Sequence, residues 1–297
     1  MQPAFTLPSF AKINWTLRIL GKRDDGFHEL FTVFQSVSLH DRISFAASDS
    51  LELTCDNPYV PVDGRNLILK AAAMLRARFG VTQGAAMHLE KRIPSPGGLG
   101  GGSSNAAIAL IGLARLWELD DGIDLNSIAA ELGSDVAFFL YGGTAIGTGR
   151  GEEIEQIDDK DEPYMLIVTP RIRVSTRDAF SKLDAPTLTN EARNHILSVC
   201  RKEAGSLDPR SSVLTNDFER TVFSAHPEIE NVKSTLLELG AANAALSGSG
   251  ASVFAVFEKE ETRQAAIKAL DQASTWRKFS VSTISRDQYS EALLIQR

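Results

Sequence analysis

Five of the six residues from Gly97 to Gly102 are glycine, and an apolar run from Ala106 to Trp117 follows almost at once. Backbone without Cβ atoms turns tightly and brings successive N–H groups close to a ligand. The first turn of a helix adds donors with partial positive charge. Pro94 and Pro96 stiffen the approach, and Ser103 or Ser104 is placed to cap the helix. A loop of this kind suits phosphate oxygens better than it suits a slack linker. It is not a P-loop, because Gly-x-x-x-x-Gly-Lys-Ser/Thr occurs nowhere in the chain. The dinucleotide fingerprint fails too: counted from Gly98 and Gly100, its third glycine falls on Ser103.

Charge makes the loop matter more. Across 297 residues, 31 Lys+Arg stand against 38 Asp+Glu, a net −7. An acidic chain is a poor sequence-blind binder of nucleic acid, so a polyanion must be met by a local arrangement. No apolar run approaches the ~18 residues that span a bilayer, and no membrane partner is expected. Cys55 and Cys200 make no disulfide framework and match no metal-ligand spacing, which favours a reducing compartment. The first ten residues lack a basic segment leading into an apolar core, so the expectation is a cytoplasmic protein. His40, His88, His195 and His226 are scattered and suggest no metal site.

From Ala11 to Leu20, Ile13, Trp15, Leu17 and Ile19 alternate with Lys12, Asn14, Thr16 and Arg18. Period two predicts a half-buried strand with Lys12 and Asn14 on one polar face. A turn at Lys22 to Gly26 and a strand over Phe31–Phe45 follow. The spacing predicts helices at Leu67–Phe79 and Ala106–Trp117, and another from Asn126 to Gly133, with a strand over Met87–Ile93. Beyond residue 160 come a strand at Tyr164–Val168, a helix at Glu228–Leu239, strands at Ala244–Leu246 and Ser252–Phe257, a helix at Glu260–Leu270 and a strand at Lys278–Ile284. That order is a ferredoxin-like α+β unit. The chain is expected to be α+β in two domains, 1–160 and 161–297.

Three segments together resemble the GHMP kinases: Ala11-Lys12-Ile13-Asn14, the stretch Pro94 to Ala107, and Leu246-Ser247-Gly248-Ser249-Gly250-Ala251-Ser252-Val253-Phe254. Asp25-Gly26-Phe27-His28-Glu29-Leu30, Gly133-Ser134-Asp135-Val136 and Gly149-Arg150-Gly151-Glu152 narrow the resemblance to the branch acting on 4-diphosphocytidyl-2-C-methyl-D-erythritol. Three positions depart from the family pattern: Phe27 replaces a usual Tyr, Pro96 a Gly and Ala137 a Pro. The resemblance implies the two-domain GHMP kinase fold and transfer of the γ-phosphoryl of ATP, with Mg²⁺, to the tertiary 2-hydroxyl of that substrate in the non-mevalonate isoprenoid route.

The same resemblance implies roles for individual residues. Asp135 is the candidate base and Lys12 its charge partner, although Gly-Ser-Asp before an apolar run is equally the pattern of a helix N-cap, and most lysines are simply solvated. Asn14 bonds substrate or is plain surface. Phe27 stacks on cytosine, His28 reads its edge, and Phe180 closes the other side or belongs to the core. Pro96, Gly97, Gly98, Leu99, Gly100, Gly101, Gly102, Ser103 and Ser104 wrap the ATP phosphates. Asn66 holds the adenosine half or merely caps the Leu67 helix. No firm metal ligand is implied beyond a Ser103 or Ser104 hydroxyl. The unit is expected to be a monomer or a weak homodimer. A kinase of another small alcohol, or a regulator that has lost catalysis on the same scaffold, remains open at this point.

Overall fold

A computed structural model describes residues 3–294 except 121, 182, 184 and 274. Its spine is a long antiparallel hairpin, β1 (Phe5–Lys22) against β2 (His28–Ser48), paired from Phe5↔Phe45 to Lys22↔His28. β3 (Leu51–Cys55), β4 (Gly84–Glu90), β5 (Thr144–Thr148) and β6 (Glu153–Gln156) complete the sheet in the order β3-β4-β2-β5-β6, with β1 along the other side of β2. α1 (Leu67–Phe79), α2 (Gly101–Leu116) and α3 (Leu125–Leu132) cover one face. Their alanine-rich apolar stripes, Ala71, Ala72, Ala106 and Ala109 among them, share a buried core with Phe45 and Phe138.

The second sheet is antiparallel, with β7 (Met165–Thr169), β8 (Asn243–Leu246), β9 (Val253–Val256) and β10 (Arg277–Val281) ordered β10-β7-β9-β8. Between β7 and β8 run α4 (Thr176–Ser181), α5 (Asn190–Gly205), α6 (Phe218–Ala225) and α7 (Pro227–Glu238). α8 (Glu260–Ala273) joins β9 to β10, and α9 (Arg286–Ala292) closes the described chain. Strand order and the α7 and α8 crossovers make this the ferredoxin-like unit. The two sheets meet through one apolar cluster: Ile13 and Trp15 of β1 with Met165, Ile167 and Phe254.

Two local expectations need correction. β1 has no solvated polar face: Lys12 is 3% exposed and Asn14 1%, because the glycine loop and the turn after β8 lie over them. Neither serine caps α2. The helix starts at Gly101, Gly100 takes the cap position at φ 69°, and no side chain bonds the first turn. Glycine alone enters that left-handed region cheaply, which leaves the helix's opening amides for something else.

Candidate active site

A cavity of about 840 Å³ opens between the two sheets. Lys12 stands on its floor. The Lys12 Nζ donates to Asn14 Oδ1 at 2.8 Å and lies 3.4 Å from Asp135 Oδ2. Asn14 Oδ1 also accepts from the Gly248 N–H at 2.9 Å, and its Nδ2 donates to Thr32 Oγ1 at 2.8 Å. Those bonds commit three of Asn14's four hydrogen-bonding positions to protein, so its main work is to orient the ammonium. Burial strips water from the lysine and holds its charge at a fixed place beside the carboxylate.

Asp135 follows α3, which ends at Gly133. The apolar run after it folds as a short 3-10 turn, Ala137–Leu140, whose cap position is Val136 and whose first amides donate to no side-chain cap. Asp135 is therefore not a helix cap. Its side chain is 34% exposed and borders the cavity, where an incoming hydroxyl can reach it.

Residues Pro94 to Ser103 form one wall of the cavity. Three consecutive carbonyls of this loop are engaged by protein. The Gly97 carbonyl accepts from Ser252 N at 3.1 Å, the Gly98 carbonyl from Ser247 Oγ at 3.0 Å, and the Leu99 carbonyl from Lys12 N at 3.0 Å. The N–H edge is what remains for a ligand. At Gly98 (φ +73°) a Cβ would overlap the Ser247 carbonyl oxygen, so the loop and the turn after β8 fit only with glycine there. The first intrahelical bond of α2 is Ser104 N to Gly100 O at 2.8 Å, which places the amides of Gly101, Gly102 and Ser103 ahead of it.

Ser104 differs from its neighbours. Fully buried, it pairs with Ser9 Oγ at 2.8 Å and does not line the cavity. Both its amide and its hydroxyl are spent inside the protein. Ser9 also accepts from Asn105 Nδ2 (2.8 Å), which donates to Asp41 Oδ2 as well (2.9 Å). Asp41 is completely buried, pairs with Lys91, and accepts the Arg92 and Ile93 amides at 2.7 and 2.8 Å. Sequence reasoning misses this anchor under the loop. No short motif announces a carboxylate whose partners lie fifty and sixty residues away.

Asn66 caps α1, accepting from Ile68 N at 2.9 Å while its Nδ2 donates to Pro61 O at 2.7 Å. It does not line the cavity, whereas its neighbour Leu67 does.

The opposite end of the cavity is aromatic. His28 and Phe180 stack at 5.3 Å with 26° between planes, and Phe180 meets Phe218 edge-on at 4.8 Å. Burial, reinforced by the nearby Lys22 charge, pushes the His28 imidazole below its ordinary pKa, so the ring is neutral near pH 7. Its Nε2 is buried and has no hydrogen-bond partner among the described residues. Phe27 is 53% exposed at the mouth, with the Arg150 guanidinium 5.1 Å from its ring centroid. The Gly149-Arg150-Gly151-Glu152 segment carries part of the resemblance but by itself assigns Arg150 no contact with Phe27. Glu152 holds it through the backbone N–H (2.6 Å) and Nε (3.1 Å).

Lys12, Lys22, Arg150 and Arg177 line this cavity against the single carboxylate of Asp135 among the described residues. An acidic chain has thus gathered a local cationic surface that suits a polyanionic ligand. Described residues hold no group of three or more His, Cys, Asp or Glu able to take a metal ion. None of their helices is long and apolar enough to cross a membrane.

Residues 66–143 match the GHMP kinases N terminal domain, and residues 198–274 match the GHMP kinases C terminal family. The chain is 41% identical over 247 residues to a 4-diphosphocytidyl-2-C-methyl-D-erythritol kinase of Bacillus mycoides (strain KBAB4), covering 82% of this chain and 85% of that one. The Bacillus cereus (strain AH187) enzyme of that name gives the same figures. A crystal structure of 4-(cytidine 5'-diphospho)-2C-methyl-D-erythritol kinase superposes with TM-score 0.74 at 30% identity, over 94% of this chain and 99% of that one. Homoserine kinase from Cytophaga hutchinsonii ATCC 33406 (TM-score 0.68, 18% identity, 96% of each chain) shares the fold alone.

Proposed function

The chain belongs to the GHMP kinases, and from that premise we propose that it transfers the γ-phosphoryl of ATP to the 2-hydroxyl of 4-diphosphocytidyl-2-C-methyl-D-erythritol, within the non-mevalonate route to isoprenoid precursors. One observation carries the reading: a buried lysine 3.4 Å from an accessible aspartate, in a cavity with the glycine loop on one side and a histidine stacked on Phe180 on the other.

A tertiary alcohol is hindered and weakly acidic, so alignment and charge neutralisation must supply most of the acceleration. The loop from Pro96 to Ser103, through its N–H groups from Gly97 onward, and the start of α2 hold the β- and γ-phosphates. Leu67 contributes an apolar contact, and Asn66 acts by fixing the start of α1. Asp135 takes the hydroxyl proton as the oxygen bonds to phosphorus and the bridging P–O bond to ADP breaks. Lys12, 3.4 Å from Asp135, neutralises charge on the moving phosphoryl group. Asn14 orients Lys12, and Phe27, His28 and Phe180 take the cytosine.

The Ser103 hydroxyl, on the cavity wall beside the loop, is an oxygen donor that would help hold a Mg²⁺ ion brought in with ATP, and such an ion would neutralise phosphate charge. We read residues 1–160 as the domain supplying Lys12, the loop and Asp135, and 161–297 as the domain supplying Phe180 and the glycine turn. The gap between β6 and β7 supports that division. We read the unit as a monomer or weak dimer, and two free thiols fit a reducing cytoplasm.

Phosphorylation assays with ATP against the cytidyl alcohol, homoserine and mevalonate test this reading. Turnover confined to the cytidyl alcohol is expected. Activity on either small alcohol without it would assign the cavity to another kinase of the family, and no turnover on any would favour a regulator.

A further inference from the structure

We propose that Arg193, on α5 and outside the cavity, is a positioning residue that fixes the Phe27–His28 hairpin relative to Phe180, and so sets how tightly the base of a nucleoside diphosphate is gripped. The inference rests on the reading of the aromatic end as the cytosine site.

Pro186 to Leu188, just ahead of α5, form a strap against the hairpin beside its turn. Lys22 N donates to Pro186 O at 2.8 Å, Leu188 N donates to Lys22 O at 3.3 Å, and Lys22 pairs with Thr187 in an isolated parallel bridge. The approach is close: a Cβ on Gly21 would lie 2.7 Å from the Pro186 carbonyl oxygen and 2.8 Å from Leu188 Cβ. Five residues after Leu188, Arg193 pairs with Glu29 at 2.8 Å and reaches Glu153 at 3.6 Å. Glu29, 1% exposed, also accepts from Arg23 at 3.0 Å and from the Gly149 N–H at 3.2 Å.

One buried carboxylate thus joins the hairpin turn, the start of β2, the Gly149 turn that delivers Arg150 to Phe27, and α5. The hairpin is thereby tied to the segment that follows α4, the helix of Phe180, and to α5, with Arg193 itself outside the cavity. Removing Arg193 leaves Glu29 with Arg23 and the Gly149 amide, so the carboxylate is not stranded and the fold survives. What is lost is the tie between the hairpin and α5.

Arg193→Ala and Arg193→Lys in the full chain test the proposal. For Arg193→Ala the KM of the cytidyl alcohol should rise about tenfold, the effect of a slightly misplaced binding wall. Its kcat and the KM of ATP should stay within about twofold, as expected when uniform binding of one substrate, equal in ground and transition states, is weakened. Arg193→Lys, which keeps the charge but not the fork, should recover part of the loss. Without any ligand, hydrogen exchange should quicken at amides 22–30 in Arg193→Ala and stay unchanged at 97–104. Unchanged protection of the hairpin, or a parallel rise of both KM values with a lower melting temperature, would overturn the proposal. Should the wild-type chain not phosphorylate the cytidyl alcohol, the functional reading fails, and the exchange measurement still decides whether Arg193 holds the hairpin.

Discussion

Asp135 and Lys12 divide the chemistry at the scale of single residues. The lysine is sealed from water and held by Asn14, whereas the aspartate is open to the cavity. That asymmetry suits a fixed charge beside an acid that must exchange its proton with substrate. Asp135→Asn keeps the shape and removes the base. Turnover should drop by about two orders of magnitude or more, with ATP affinity, measured calorimetrically, nearly unchanged. A variant with intact turnover would move the base elsewhere. His28 gives a pH signature. Burial and Lys22 lower its pKa, so the ring stays neutral until the solution is more acidic than the ordinary value of about 6.5. Affinity for the cytidyl substrate should be flat from neutral pH down to that value and weaken only below it. The stability sign agrees: between the lowered native pKa and about 6.5 the unfolded chain binds the proton first, so the His28 contribution to stability is full above that value and lost on acidification. NMR titration of the His28 ring checks both, and a midpoint above the ordinary value would contradict them.

Elements built on strong periodicity are legible in the sequence. α1 occupies the expected Leu67–Phe79, ended by Gly80 in the left-handed conformation. The ferredoxin-like order of the second sheet follows from alternating apolar runs. Strands of four or five residues such as β3, β5 and β6, and the polar α5, carry too little pattern to stand out; tertiary contacts define them. The loop is readable because glycine excess is unusual, while its anchor at Asp41 is not, since its partners are distant in sequence. Lys12 reads as surface for a related reason: alternation shows two faces and not what covers each. Gly112 illustrates the same limit within α2. A Cβ there would run into the buried Phe45 ring. Gly112→Ala gains about 1 kcal/mol of helix propensity and meets an overpacking cost of about 1–3 kcal/mol. Urea denaturation should find the variant less stable; a gain would show that the ring yields cheaply.

Across the whole molecule, the two sheets are not independent bodies that happen to touch. Trp15 of β1 and Phe254 of β9, both fully buried, meet edge to face at 5.4 Å inside the cluster that joins the sheets. Lys12 and the phosphate loop belong to the first sheet's side, while the turn backing that loop grows from the second, between β8 and β9. Weakening the shared core must therefore loosen the site as well as the fold. Phe254→Ala removes a large ring from this junction at a cost of about 3–5 kcal/mol, a large share of the roughly 5–15 kcal/mol typical of a whole domain. If the junction makes the chain one cooperative unit, hydrogen exchange in denaturant should show amides of β2 and β7 opening at a common midpoint, shifted equally by the substitution. Loss of protection confined to β7–β10, with β2 unmoved, would mean that the sheets fold separately and that the catalytic cleft is assembled only by docking.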